Sequence, residues 1–193
     1  MRLGDCINTE RLHMRHWDKS TDGEPFHQLN HDREVMRYFP GQRTRAESDA
    51  LLDRIEQQIA KNGYSWCAIL MRDTNKIIGF GGIAKVEAGF PNGPSAEIGW
   101  RFLPETWGYG YATEMASAML SYGFETLQLP EILSFAVVEN EKSFAVMRRI
   151  GMQRFENGDF DHPNVDAGRF PNLVRHHSYR SDRDTWQKQK TAE

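Results

Sequence analysis

Between Ala96 and Val138 the apolar pattern changes period twice, and few folds satisfy both changes. Ala96–Leu103 places Ile98, Trp100 and Phe102 on one face at two-residue spacing, the mark of a strand, and Pro104 ends it. A glycine turn follows, Trp107-Gly108-Tyr109-Gly110-Tyr111-Ala112-Thr113-Glu114. Tyr111–Leu127 then reads as a long helix, with Met115, Met119, Tyr122 and, less regularly, Leu120 on the buried side. Ile132–Val138 is a continuous apolar run, as expected of a strand covered on both faces. A helix of about 15 residues rises roughly 22 Å and a seven-residue strand covers about 23 Å. The helix therefore carries the chain back, so the two strands run parallel with a right-handed crossover. Trp107–Ala112 and Glu139–Ser143 then meet beyond the C-terminal ends of the parallel strands, where open sheets bind ligands.

The flanking segments supply further elements. Arg11–Trp17 reads as a short strand, Asp18–Gly23 as a turn, and Glu24–Asn30 as a short helix capped by Ser20 or Asp22, with Pro25 in its first turn. Thr44 with Glu47 forms a capping box, Leu51, Leu52, Ile55 and Ile59 recur at helical spacing, and Asn62-Gly63 closes that helix. Tyr64–Met71 and Lys76–Ala84 form a hairpin across Asp73-Thr74-Asn75, and Glu87–Pro94 is a loop. Asn140–Ile150 is a helix closed by Gly151, and Met152–Phe160 with Arg175–Arg180 forms a last hairpin across Asp161–Val174. Beyond Trp186 the chain is polar and reads as a frayed end. A length of 193 residues suits one domain, 1–186, with a polar tail at 187–193.

Composition excludes several classes. A formal net charge of -3 argues against nucleic acid as a partner. No apolar run reaches the about 20 residues that cross a bilayer. Arg2, Asp5, Glu10 and Arg11 interrupt any secretory leader, and Cys6 and Cys67 make no disulfide framework. The expectation is a cytoplasmic protein, monomeric or homodimeric, with no nucleic acid and no membrane among its partners.

The chemistry centres on the glycine turn. Gly108 and Gly110 reach backbone angles closed to other residues, so successive N–H groups can converge at the start of a helix whose dipole is positive there. A phosphate or pyrophosphate fits such a place, although the same turn also serves simply to reverse the chain. The order of motifs resembles the GNAT acetyltransferase superfamily, whose signature is [Arg/Gln]-x-x-Gly-x-[Gly/Ala] opening a helix after a strand. Gly110 and Ala112 match its last two positions, and Trp107 stands where Arg or Gln is usual. The branch similar to ribosomal-protein N-terminal acetyltransferases reads Trp-Gly-x-Gly-Tyr-Ala-[Thr/Ser]-Glu, which fits without a gap. Glu10-Arg11-Leu12, Glu34-Val35-Met36-Arg37-Tyr38-Phe39, Asn140-x-x-Ser143 with Arg149-Ile150-Gly151-Met152, and His176-x-x-Tyr179 extend the likeness along nearly the whole chain.

That resemblance implies an α/β (or α+β) fold: a central, mixed, mostly antiparallel twisted sheet of about seven strands with a parallel, splayed pair, flanked by about four helices. It implies acetyl-CoA as co-substrate, with no metal, and an amine acceptor that is a small molecule or a protein N-terminus. Pantetheine would lie along Trp100, Arg101, Phe102 and Leu103 like an added strand. Trp107, Gly108, Tyr109, Gly110, Tyr111, Ala112 and Thr113 would hold the pyrophosphate, and Asn140 would meet the pantetheine arm or a water beside it.

A protonated alkylamine, with a pKa near about 10, cannot attack a thioester, so a base is needed. Glu97 is the candidate, although it shares a strand face with Gly99 and Arg101 and could equally form an ion pair with Arg101. His162, His176 and His177 are other candidates beside the last loop. Many family members place a tyrosine where this chain has Met147, which moves the donor to the departing sulfur to Ser143, another tyrosine or solvent. Ser143 is equally a polar residue in the first turn of a helix capped by Asn140. Trp17, Tyr38 and Phe39 are candidates for the acceptor cleft, and Cys67 reads as a buried inert thiol. The Arg43–Arg45 and Arg148–Arg149 clusters read as solvated faces, the latter within reach of the cofactor's 3′-phosphate. The alternative functions are a non-catalytic acyl-CoA-binding or sensing protein and, against the missing nucleotide motifs, a nucleotide grip.

Overall fold

A computed structural model describes residues 7–191; Arg2, Asp5 and Cys6, and with them the readings that rest on them, lie outside the described residues. The strands are β1 (Ile7–Asn8), β2 (Leu12–Arg15), β3 (Trp66–Met71), β4 (Ile77–Val86), β5 (Ser95–Phe102), β6 (Glu131–Val137), β7 (Gln153–Arg154), β8 (Phe160–Asp161) and β9 (Arg175–Asp182). The helices are α1 (Lys19–His31), α2 (Arg45–Asn62), α3 (Tyr111–Ser121), α4 (Glu141–Arg149) and α5 (Arg183–Lys190). All strands join one sheet in the order β1-β2-β3-β4-β5-β6-β9-β7, with β8 also on β9. Every pairing is antiparallel except β5 with β6.

Both sheet faces are covered, which explains why β3 is apolar without alternation. Cys67 and Ile69 face the core beneath α3, α4 and α5, with Met115, Met119, Phe144 and Trp186. Ala68 and Leu70 face the other core, with Phe26 and Leu29 of α1 and Leu52 and Ile55 of α2. Cys67 is fully buried, and its thiol donates to the Gly81 carbonyl at 3.1 Å, which leaves it an inert core residue. The capping box of α2 forms as expected, with Thr44 and Glu47 satisfying each other's backbone N–H, and Gly63 ends the helix at φ 85°.

The parallel pair is the feature that makes a site. β5 is paired with β4 along its whole length but touches β6 at one register point, Glu97 with Leu133. The Ser134 hydroxyl donates to the Ile98 carbonyl at 2.9 Å, pinning the strands where they begin to part. From there the two diverge, and the β6-facing edge of β5 opens into a cleft.

Two terminal readings are corrected. The first helix begins at Lys19 rather than Glu24, because Asp18, not Ser20 or Asp22, caps it by accepting from the Ser20 N–H at 2.9 Å. Asp22 is instead buried against Arg15 at 2.5 Å, and Pro25 lies inside the helix. The C-terminal segment is also folded through Lys190: Asp182 caps α5, and Trp186 packs on Phe124 with ring centroids 5.2 Å apart. One apolar anchor in an otherwise polar octapeptide carries too weak a period to read as a helix. Among the described residues there are thus nine strands, three of them two residues long, and five helices.

Candidate active site

A cavity of about 1530 Å³ runs through the opened pair, lined by β5, the glycine turn, the start of α4 and the segment between α1 and α2. It is larger than the about 300–1,000 Å³ of a single small-ligand pocket, so it has room for two substrates. Trp100 to Phe102, Trp107, Gly108, Gly110 to Thr113, Asn140, Ser143 and Glu97 all line it. Tyr109 does not; it projects outward, 64% exposed, and stacks on Tyr111. Leu103 also lies away from the cavity, packed at the edge of the core beneath α1 and α2.

The glycine turn has the backbone its composition implied. Gly108 and Gly110 sit at φ 85° and 83°, the left-handed region, and Gly110 caps α3 with no side-chain hydrogen bond. Among the described residues no acceptor takes the N–H groups of Gly108 to Thr113; the first satisfied amide is that of Glu114, on the Gly110 carbonyl. Free donors at a helix start fit a diphosphate. Trp107, in place of Arg or Gln, anchors the turn by donating its indole N–H to the Phe102 carbonyl at 2.8 Å, and the Lys142 ammonium lies 4.3 Å above its ring.

The turn is braced from 98 residues away. Arg11 donates to the Tyr109 carbonyl at 2.8 Å and grips Glu114 at 2.6 Å, while its backbone N–H and the Thr9 hydroxyl take the other Glu114 oxygen. These hydrogen bonds and the Arg11 charge hold the Glu114 carboxyl below its usual range against the opposing effect of burial. The sequence shows Glu10-Arg11-Leu12 and Glu114 as separate motifs; the structure makes them one device.

Glu97 lies on the sheet face that carries Gly99 and Arg101. Gly99 opposes Gly82 across β4, and the Trp66 ring lies so close that a methyl on Gly99 would stand 3.2 Å from it. Burial pushes the Glu97 carboxyl up to about 8, with nearby Arg101 opposing. Burial and then Arg43 lower Arg101 in turn. Their mutual attraction favours charge on each but is outweighed by burial, and no Glu97–Arg101 salt bridge within 4 Å occurs among the described residues. Arg101 instead lies 3.8 Å over the Phe39 ring and donates to Asn30 Oδ1 at 2.9 Å.

On the opposite wall Asn140 caps α4 by accepting from the Ser143 N–H at 3.3 Å, and the Ser143 hydroxyl has no hydrogen-bond partner among the described residues. Met147 is buried in the core. The Tyr38 hydroxyl crosses the cleft to donate to the Glu139 carbonyl at 3.2 Å. His162 and His176 reach the cavity wall, and burial lowers both, His162 to about 4. His177 points elsewhere, its Nε2 3.7 Å from Asp159.

Two surface or cleft readings change, and a third, the exposed Arg148–Arg149 face, narrows to Arg149. Trp17 is a core residue wedged between Phe26 and Phe80 rather than a cleft residue. Arg43 is not on a solvated face; it is half-buried on the cavity wall, whereas Arg45 is exposed and paired with Glu24 and Asp49. Arg148 is occupied by Glu141 and Tyr179, which leaves Arg149 on the cavity rim.

A sheet opened between two parallel strands, with a glycine-turned helix at its mouth, is the architecture of the α/β acetyltransferases. Residues 11–153 match the domain described as Acetyltransferase (GNAT) domain. The uncharacterized N-acetyltransferase YnaD of Bacillus subtilis is 32% identical over 149 residues, 77% of this chain and 82% of that protein. An acetyltransferase of the GNAT family from Bacillus anthracis superposes with a TM-score of 0.73 at 27% identity, over 93% of this chain and 99% of that one. A spermidine N-acetyltransferase from Vibrio cholerae, solved in complex with CoA and spermine, shares the fold with a TM-score of 0.71 at 20% identity, over 93% and 99%. The chain belongs to the GNAT family of acetyl-CoA-dependent N-acetyltransferases.

Proposed function

We propose that this chain transfers the acetyl group of acetyl-CoA to a primary amine, on a small molecule or a protein N-terminus, by direct attack within a ternary complex. The observation that carries the reading is the opening of one cavity onto both a run of free amides, Gly108 to Thr113, and a half-buried carboxylate, Glu97. Bound acetyl-CoA supplies an activated carbonyl and a thiolate leaving group. The amides of residues 108–113 hold its pyrophosphate, so the outward Tyr109 side chain contributes little. The cavity-lining backbone of Trp100–Phe102, which has no register partner on β6, takes the pantetheine arm, and the Asn140 side chain faces that arm.

Glu97 accepts the ammonium proton of the acceptor. A carboxylate at about 8 is a far stronger base than one at 4.5 and is still partly ionised at neutral pH. Ser143, with its hydroxyl unengaged, donates to the departing sulfur. The test is purified protein with acetyl-CoA and a panel of amines, following free thiol. Amine-dependent thiol release supports the reading, whereas CoA binding with no turnover of any amine refutes catalysis in favour of a sensor.

A further inference from the structure

The acceptor end of the cavity holds two cations and too few anions. Arg101 and Arg43 both line it and are tied together through Asn30, which is fully buried. The Asn30 side-chain oxygen takes Arg101 Nη1 at 2.9 Å, and its backbone carbonyl takes the Arg43 N–H at 2.8 Å. Among the described residues neither guanidinium has a carboxylate within 4 Å, and Arg43 Nε is buried with no hydrogen-bond partner. A guanidinium carries five N–H donors. Among the described residues those of Arg101 reach only Asn30 and, at 3.5 Å, the Met36 sulfur.

The other charges near this pair do not compensate it. Glu47, held in the Thr44 capping box, attracts Arg43 but is outweighed by the repulsion from Arg54, and Glu34 sits exposed on the rim. That leaves Glu97. When Glu97 is ionised, as attack requires, two guanidiniums face one carboxylate, and a single positive charge remains in a partly desolvated place. Burying such a charge without a partner is costly, so an anion from outside is favoured.

Resting on the acetyl-transfer reading above, we infer that the acceptor is a primary amine bearing a carboxylate, which Arg43 and Arg101 hold while its amine meets Glu97. The acceptor then enters as a zwitterion whose carboxylate takes the unused N–H donors of the two guanidiniums and whose ammonium meets Glu97. A polycationic acceptor would set a second ammonium against two guanidiniums and is disfavoured. The carboxylate can come from a free amino acid or from an acidic first residue of a peptide.

The experiment compares each acid with its own carboxamide as acceptor. The panel holds α-amino acids, ω-amino acids from β-alanine to 6-aminohexanoate, and amidated peptides beginning Asp or Glu against Asn or Gln, with spermidine as the cationic control. At least one acid should exceed its amide in kcat/KM by about 30-fold or more, since a desolvated charge pair removed from one side is a large loss. In Arg43→Gln and Arg101→Gln, shown folded by unchanged CoA affinity, the acid should lose at least about tenfold more than its amide, mainly through KM. Amides or spermidine equalling the acids, or equal losses for acid and amide, overturn the inference while leaving acetyl transfer intact. If no amine is turned over, the acetyl-transfer reading fails on its own. In that case binding of N-acetylated acids against N-acetylated amides to the CoA-loaded protein decides: no preference for the acids, or no effect of Arg43→Gln on it, overturns the inference.

Discussion

Replacing Glu97 with Gln separates a base from a bystander, because the carboxylate's displaced pKa gives it a signature of its own. With the group at about 8, roughly one-tenth is ionised at pH 7 and about nine-tenths at pH 9. An ordinary carboxylate at 4.5 is fully ionised across that range and produces no change. With an alkylamine acceptor, log kcat/KM of the wild-type enzyme should rise with unit slope below a break at about 8 and then level off until the amine itself titrates near about 10. Glu97→Gln keeps the volume and removes the base. Its rate above the break should fall by about 10²–10⁴, the usual worth of a positioned base, and its profile should climb without a break toward about 10. The assay is thiol release at saturating acetyl-CoA from about pH 6 to 10, with CoA affinity measured to exclude misfolding. A wild-type profile with no break near 8, or a Glu97→Gln profile parallel to it, refutes the assignment.

Four further outcomes follow from the same geometry. The raised Glu97 pKa has a stability consequence: between about 4.5 and about 8 the folded state keeps a proton that the unfolded chain has lost, so stability falls as pH rises through that window, and the Tm of Glu97→Gln should fall less than wild type between pH 6 and 9. Gly108→Ala meets no neighbouring atom but must hold φ 85°, so it should cost about 1–2 kcal/mol by denaturant unfolding and weaken CoA binding by calorimetry. Arg11→Ala releases the brace on Tyr109 and Glu114; it should raise KM for acetyl-CoA several-fold with little change in kcat, and lower stability by no more than about 1 kcal/mol, because the pair is partly exposed. Ser143→Ala should lower kcat by about tenfold or more with unchanged CoA affinity, as expected for a donor used only when the sulfur departs.

The parts of the fold that were legible in the sequence are those set by local pattern. The capping box at Thr44, the period change across Ala96–Val138 and the two glycines at 108 and 110 each act within a few residues, and the structure places the corresponding helix, parallel pair and left-handed turn where the pattern put them. The start of α1 and all of α5 were not, for opposite reasons: Asp18 was one of several equivalent caps in a polar run, and α5 has a single buried side chain to announce it. For the candidate site, residue identity was readable but state was not. Glu97 and Arg101 are two apart on a strand, a spacing that equally suits an ion pair; what decides between pair and base is Arg101's capture by Phe39 and Asn30, from a segment some seventy residues earlier.

Arg43 makes the same point more sharply. In sequence it sits beside Arg45 in a polar stretch, and a surface location is the natural reading for both. They part because the Arg43 N–H is tied to the Asn30 carbonyl, which turns its guanidinium to the cavity wall, while Arg45 lies in the first turn of α2 and reaches outward to Glu24 and Asp49. Asn30 thus sets both the position of Arg43 and the hydrogen bond that draws Arg101 away from Glu97. The freedom of Glu97 to act as a base and the surplus positive charge at the acceptor end therefore have one origin. An Asn30→Ala substitution, which removes the side-chain acceptor but keeps the backbone carbonyl, should release Arg101 toward Glu97. A guanidinium closing on that carboxylate stabilises its charged form and lowers its pKa. The break in the pH profile should then move below about 8 while activity at pH 9 falls, because the base is weakened as it is ionised earlier. An unmoved break in a folded Asn30→Ala enzyme would mean that Arg101 is held by its aromatic neighbours alone.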